Sequence, residues 1–193
     1  MGQARRIEPI SPEGYLAGER EAEMRHEYVD GELFAMVGAS RAHNLLAVNF
    51  AAALKSALAA GPCRVTVSDM KVRLPSGPRF YYPDLMVSCS DPREEPDEHY
   101  ETRPELIVEI LSPSTEAIDR REKRLAYATI ESLREYVLVA QDEVLVELYR
   151  RDGDGWSCTT FGPGDSLALV LGNGIDIALR TLYDGVLPAD GPR

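Results

Sequence analysis

Between Ser40 and Ala60 the chain reads SRAHNLLAVNFAAALKSALAA, with Leu46, Phe50, Leu54 and Leu58 at four-residue intervals. That period predicts a helix with one apolar stripe, capped by Ser40 and stopped at Gly61-Pro62. A shorter, charged helix is predicted over 11 to 24, where Pro12 can open the first turn. In between, RHEYVDGELFAMVG reads as two short strands around Asp30-Gly31, residue types that accept the positive φ angles of a tight hairpin turn.

Farther along, the apolar positions fall into strand-sized runs. CRVTVSDMKVRL is rich in Val and Thr and is broken by PSGP at 75 to 78, and RFYYPDLMVSCS is a strand region interrupted by Pro83. A charged loop, DPREEPDEHYETRP, leads to the apolar run in PELIVEILSPST, where Pro113 ends extended structure. STEAIDRREKRLAYATI predicts a helix with a basic face. REYVLVA and EVLVELYRR predict strands joined at Gln141-Asp142. The tail adds WSCTTFGPGD, SLALVLGNG and IDIALRTLYDGV, the last fitting a strand or a short helix. The sum is a mixed α/β domain with helices covering a sheet.

At 193 residues the chain fits one domain able to bury a core. Its 21 basic and 32 acidic residues give a net charge of −11. That excludes broad electrostatic attraction to nucleic acid or an anionic membrane, but leaves room for a local basic patch beside a metal ion. Cys63, Cys89 and Cys158 are odd in number, widely spaced and in no CxxC pattern. They predict neither a disulfide framework nor a zinc site, and a reducing cytoplasm fits best. No stretch approaches the ~20 apolar residues of a membrane span, the first residues lack an apolar signal core, and Arg6 stands where a myristoylation site needs Ser or Thr.

One residue resists a purely structural account. Strand alternation puts Leu106, Val108 and Ile110 on one face and Ile107, Glu109 and Leu111 on the other, and a continuous apolar run implies that both faces are covered. Burying an unpaired carboxylate costs several kcal/mol, so either Glu109 faces water near the strand end or a positive partner is expected: a lysine, an arginine or a metal ion. Asp84, after Pro83 at the entry to DLMVSC, offers a second carboxylate at the sheet rim, although Pro-Asp is also a common turn dipeptide. Two acids on neighbouring strands suit a hard divalent ion, which polarises a phosphoryl oxygen and activates water. In DRREKRLAY, Asp119, Lys123 and Tyr127 share a helix face, with Arg120, Arg121 and Arg124 around them. Lys123 reads either as the partner of an exposed ion pair or as an ammonium leaning over the metal site.

Taken in order, HEYVDGELFAM, RAHNLLAVNFAAAL, the PD at 83 to 84, ELIVEILSPST, DRREKRLAY and EYVLV resemble the Uma-type "putative restriction endonuclease" family of the PD-(D/E)XK nuclease superfamily. The resemblance covers about residues 11 to 185, leaving tails at 1–10 and 186–193. It implies a restriction endonuclease-like fold, a mixed β-sheet flanked by helices in a single domain. It also implies metal binding by Asp84, Glu109 and the Ile110 carbonyl, catalysis by Asp84, Glu109 and Lys123, and supporting roles for Glu27, His43 and Ser112, to which the helix face shared with Lys123 adds Asp119 and Tyr127. The superfamily's Glu-x-Lys motif would put lysine at position 111. Leu111 stands there, and the family pattern moves the lysine to Lys123 on the next helix.

The leading expectation is an endonuclease that uses magnesium or manganese to hydrolyse DNA phosphodiester bonds, with Arg120, Arg121 and Arg124 meeting phosphate. Two alternatives stay open: an inactive nuclease-fold interaction protein, which the acidic balance favours, and a metal-dependent phosphoesterase acting on small substrates. The strands EYVLVA and EVLVELY, taken as exposed, predict a homodimer in which they pair or pack across a two-fold axis.

Overall fold

The computed structural model of the chain describes residues 9–36 and 38–187. Most of the expected tails at 1–10 and 186–193 therefore lies outside the described residues. Ser11 caps helix α1 (Pro12–Glu21), its side chain accepting the Gly14 amide. Strands β1 (His26–Val29) and β2 (Glu32–Ala35) follow as the expected hairpin. Asp30 and Gly31 both take positive φ, 50° and 102°, and a Cβ on Gly31 would come within 2.5 Å of Pro9 Cβ, so the turn requires glycine there. Helix α2 (Arg41–Ala57) is capped by Ser40 and buries Leu46, Phe50 and Leu54.

The two middle strand regions each divide. CRVTVSDMKVRL gives β3 (Arg64–Val67) and β4 (Lys71–Arg73), and RFYYPDLMVSCS gives β5 (Arg79–Tyr81) and β6 (Leu85–Ser88), with Pro83 in the gap. The charged loop holds a 3-10 turn (Pro92–Glu94) and β7 (Tyr100–Glu101), and then comes β8 (Leu106–Ile110). Helical structure resumes as α3 (Glu116–Ile118), a π-helical turn (Asp119–Lys123) and α4 (Arg124–Tyr127). Strands β9 (Glu135–Val139), β10 (Val146–Asp152), β11 (Gly155–Phe161), β12 (Ser166–Leu169) and β13 (Ile175–Ala178) precede α5 (Leu179–Leu182), so the last segment is both strand and helix.

A six-stranded sheet runs β11-β10-β9-β8-β6-β3, in which only β8 and β9 are parallel neighbours. A five-stranded sheet runs β2-β1-β5-β4-β7, and β12 pairs with β13. On one face of the larger sheet, Leu106, Val108 and Ile110 pack with Leu85, Val87 and the apolar stripe of α2. On the other, Ile107 and Leu111 join Met86, Tyr136 and Leu138 beneath Ala126 and Tyr127. A third cluster of Tyr15, Tyr28, Phe80 and Tyr100 fixes α1 to the smaller sheet, with the Tyr15 and Tyr28 rings stacked 4.9 Å apart.

Two expectations fail here. β9 lies between β8 and β10 with all five residues buried, and β10 lies between β9 and β11, so neither strand has a free edge for pairing across a two-fold axis. Their apolar runs reflect burial inside one subunit. The cysteine reading fails as well: Cys63 and Cys89 form a disulfide, with Cα atoms 3.9 Å apart. The antiparallel register Arg64↔Ser88, continued by one residue, sets them opposite each other across β3 and β6, a proximity that linear spacing hides. Cysteine usage therefore no longer argues for a reducing compartment. No helix of the described residues is long and apolar enough to cross a membrane.

Candidate active site

Sheet register brings the two acids together. β6 and β8 are antiparallel with Leu85 opposite Val108, so one step outward Asp84 lies opposite Glu109. Asp84 Oδ2 accepts the Ile110 amide at 2.7 Å and lies 3.1 Å from Nε2 of His43 in the first turn of α2. Glu109, only 3% exposed, accepts the Tyr127 hydroxyl at 2.8 Å and the Lys123 ammonium at 3.2 Å on Oε1. Lys123 Nζ also stands 2.9 Å from Glu27 Oε1 and 3.4 Å from Asp119 Oδ1, over the ring of Tyr81. Glu27 enters from β1, where it also accepts the Tyr82 amide. The π-helical turn presents Asp119 and Lys123 inward together, and both are buried.

Three carboxylates thus surround one ammonium, a fourth, Asp84, is held by His43 and the Ile110 amide, and the electrostatics follow from that imbalance. Burial pushes the Glu109 carboxyl well above its usual range; Lys123 pulls against this, while Asp119, Asp84 and Glu27 push it further up. Burial disfavours the charge on Lys123, but Glu109, Glu27 and Asp119 outweigh it and hold the amine protonated well above an ordinary lysine. Asp119 is raised by burial, partly offset by Lys123 and Thr115. For His43, burial is outweighed by the hydrogen bond and charge of Asp84, by Asp119 and by the Ile110 backbone, so its pKa is raised.

Do these residues suit a metal ion? As the side chains stand, no three His, Cys, Asp or Glu among the described residues converge as ligands. Asp84 is turned onto an amide and a histidine, Glu109 onto Lys123 and Tyr127, and at Ile110 it is the amide that meets Asp84. The donor chemistry nonetheless fits a hard divalent cation: carboxylate oxygens outnumber the cations among them, and buried Asp119 Oδ1 receives no hydrogen bond.

The family model for Uma2, described as "Putative restriction endonuclease", matches residues 12–180. The chain belongs to the Uma2 family. Two Synechocystis sp. (strain ATCC 27184 / PCC 6803 / Kazusa) proteins are similar along most of its length. Uncharacterized protein slr1290 is 36% identical over 178 residues, covering 92% of this chain and 93% of that protein. Uncharacterized protein sll1609 is 34% identical over 141 residues, covering 72% and 80%. A crystal structure from Anabaena variabilis ATCC 29413, described as "a putative nuclease belonging to DUF820", superposes with a TM-score of 0.74 at 19% identity, covering 93% of this chain and all of that one. The fold expectation is met: this Uma2 protein has a restriction endonuclease-like fold.

Of the residues singled out from sequence, Glu27, His43, Asp84, Glu109, Ile110, Asp119, Lys123 and Tyr127 assemble in one place. Ser112 does not. Its hydroxyl meets Ser114 and Thr115 in the turn before α3. The arginines do not form one phosphate-facing patch either. Arg120 pairs with Glu116 and Glu147, and Arg124 lies over the Tyr149 ring, because each stands one residue past an inward-facing one, Asp119 and Lys123, a step that turns it toward β10. Arg121 is exposed. Two contributors were missed: Tyr81, whose ring lies under Lys123 and whose hydroxyl meets Glu122, and the Tyr82 amide that holds Glu27. The signal was their place directly before Pro83-Asp84 in RFYYPDL.

Proposed function

We propose that this Uma2 protein is a divalent-metal-dependent nuclease that hydrolyses DNA phosphodiester bonds. The observation that carries the reading is the convergence of Glu27, Glu109 and Asp119 on the single ammonium of Lys123, with Asp84 set opposite Glu109 by the sheet register. Asp84 and Glu109 would hold magnesium or manganese, with the Ile110 carbonyl as a further oxygen donor. When bound, the ion supplies Lewis-acid polarisation of the phosphoryl oxygen and lowers the pKa of water. Lys123 stays an ammonium, which suits it to offset charge growing on the phosphoryl oxygens rather than to act as a base. Tyr127 and His43 orient Glu109 and Asp84 by hydrogen bonds. The exposed members of the cluster, Glu27, Asp84 and His43, mark the side from which substrate enters; their side chains are 15–16% exposed, against 2–7% for Glu109, Asp119 and Lys123.

A second reading, an interaction protein on an inactive nuclease fold, is favoured by one feature: Lys123 already neutralises part of the cluster without a metal. Incubation with supercoiled and single-stranded DNA in magnesium or manganese separates the two. Cleavage by the wild type that disappears in Asp84→Ala supports the nuclease. Absence of wild-type cleavage, or equal cleavage by the variant, overturns it. If both strands of a duplex are cut by two copies, the edge strands of the two larger sheets are β2, β7, β3 and β11.

A further inference from the structure

Among the described residues, Phe34 is the aromatic one of the exposed large apolar side chains. It is 50% exposed on β2, the edge strand of the smaller sheet, and the hairpin register places it directly opposite Glu27. Directly opposed residues of an antiparallel pair project from the same face, with Cβ atoms roughly 5 Å apart. Glu27 is one of the three carboxylates that reach Lys123, and the most exposed of them. An aromatic face is therefore displayed to solvent at the mouth of the candidate active site.

The charge distribution says what such a face is for. The net charge is −11, and of the three arginines around Lys123, Arg120 and Arg124 are engaged by Glu116, Glu147 and Tyr149, which leaves Arg121 exposed to meet a phosphate backbone. Base–aromatic stacking is the other general source of affinity for a nucleic acid strand, and it tolerates any base because every base has a π face. We propose that Phe34 stacks on an unpaired nucleobase beside the scissile phosphate and so positions a single-stranded or locally opened strand over Asp84 and Glu109. The inference rests on the nuclease reading and adds to it a substrate feature: a base free to leave the duplex stack. Phe34 is on this account a positioning residue.

The test uses Phe34→Trp, Phe34→Ala and Phe34→Leu in the full chain, with a single-stranded oligonucleotide and an abasic oligonucleotide of the same length. Phe34 is half exposed, so the substitutions spare the core, and leucine keeps an apolar side chain without a π face. Expected are quenching of the added tryptophan emission by the normal oligonucleotide and roughly tenfold weaker binding of it by Phe34→Ala and Phe34→Leu. Binding of the abasic strand should be the same in all variants. Wild-type cleavage without quenching, and with unchanged binding in the variants, overturns the stacking proposal and leaves the nuclease reading standing. Quenching and base-dependent binding without cleavage do the reverse. A loss of dimer mass in Phe34→Ala by light scattering, with oligonucleotide binding unchanged, assigns the face to a second copy of the chain and overturns the proposal.

Discussion

Two glutamates are buried on adjacent parallel strands, and their surroundings differ in one respect. Glu135, at the start of β9, has no exposed surface and lies opposite Arg150 on β10. Its Oε1 accepts Nε and Nη2 of Arg150 at 3.0 and 2.9 Å, and its Oε2 accepts the Val170 amide at 3.0 Å. Glu109 on β8 is as well hidden, but shares its one ammonium with Glu27 and Asp119. A buried carboxylate alone therefore does not mark a site. Glu135 is matched by one cation and an amide; Glu109 belongs to a group with more negative charge than the protein neutralises, and such an imbalance leaves room for an added cation.

Catalysis should separate the two most strongly. Asp84→Ala and Glu109→Gln are expected to slow single-turnover DNA cleavage about a thousandfold or more, equivalent to about 4 kcal/mol of barrier, while Glu135→Gln leaves the rate close to wild type. Comparable losses in all three would erase the distinction between a structural and a functional acid. Stability comes next. Lys123→Met strands the buried carboxylates of Glu109 and Asp119, and Glu27 beside them, and is expected to cost about 3–5 kcal/mol in urea unfolding. Arg150→Met should cost less, about 1–2 kcal/mol, because its side chain is already 37% exposed and water can reach the gap.

How much of this contrast was legible in the sequence depends on which partner each residue has. Glu109 was conspicuous as the lone charge in an apolar strand, and Asp84 and Lys123 could be joined to it because their motifs flank it along the chain. Helix α2 and the hairpin could be read from period and turn chemistry, both of which are local. Glu135 drew no attention, because REYVLVA has its charges at the strand start, where exposure is the ordinary expectation; only the pairing with β10 sets Arg150 opposite it. The Cys63–Cys89 bridge was invisible for the same reason, since register rather than spacing made it. The arginines of DRREKRLAY were legible as a helix face but not as to what that face meets, which is Glu147 and Tyr149 of β10.

Metal addition gives a smaller effect with sharper selectivity. A site-specific ion at a hundred times its Kd stabilises the folded state by about 2.7 kcal/mol. That gain is expected for the wild type and for Glu135→Gln when magnesium or manganese replaces EDTA, and is expected to vanish in Asp84→Ala. An equal gain in Asp84→Ala would move the ion away from the candidate site.

The finest comparison is the pH dependence of stability without metal. Both carboxyls sit above the ordinary glutamate value: Glu135 because burial outweighs Arg150 and the Val170 amide, Glu109 by more, because burial is reinforced by Asp119, Asp84 and Glu27 against the single pull of Lys123. A carboxyl whose folded pKa is raised keeps its proton in the folded state after the unfolded chain has lost it. Stability then falls as pH rises from the unfolded value, about 4.5, through the folded one, by roughly 1.4 kcal/mol per pH unit while the window lasts. Removing the titration should flatten that fall. In EDTA, Glu109→Gln is expected to gain on the wild type over a long stretch above pH 4.5, and Glu135→Gln over a shorter one. Urea unfolding from pH 4 to 8 measures both, and equal windows for the two variants would mean that the charge around Glu109 is as well balanced as that around Glu135.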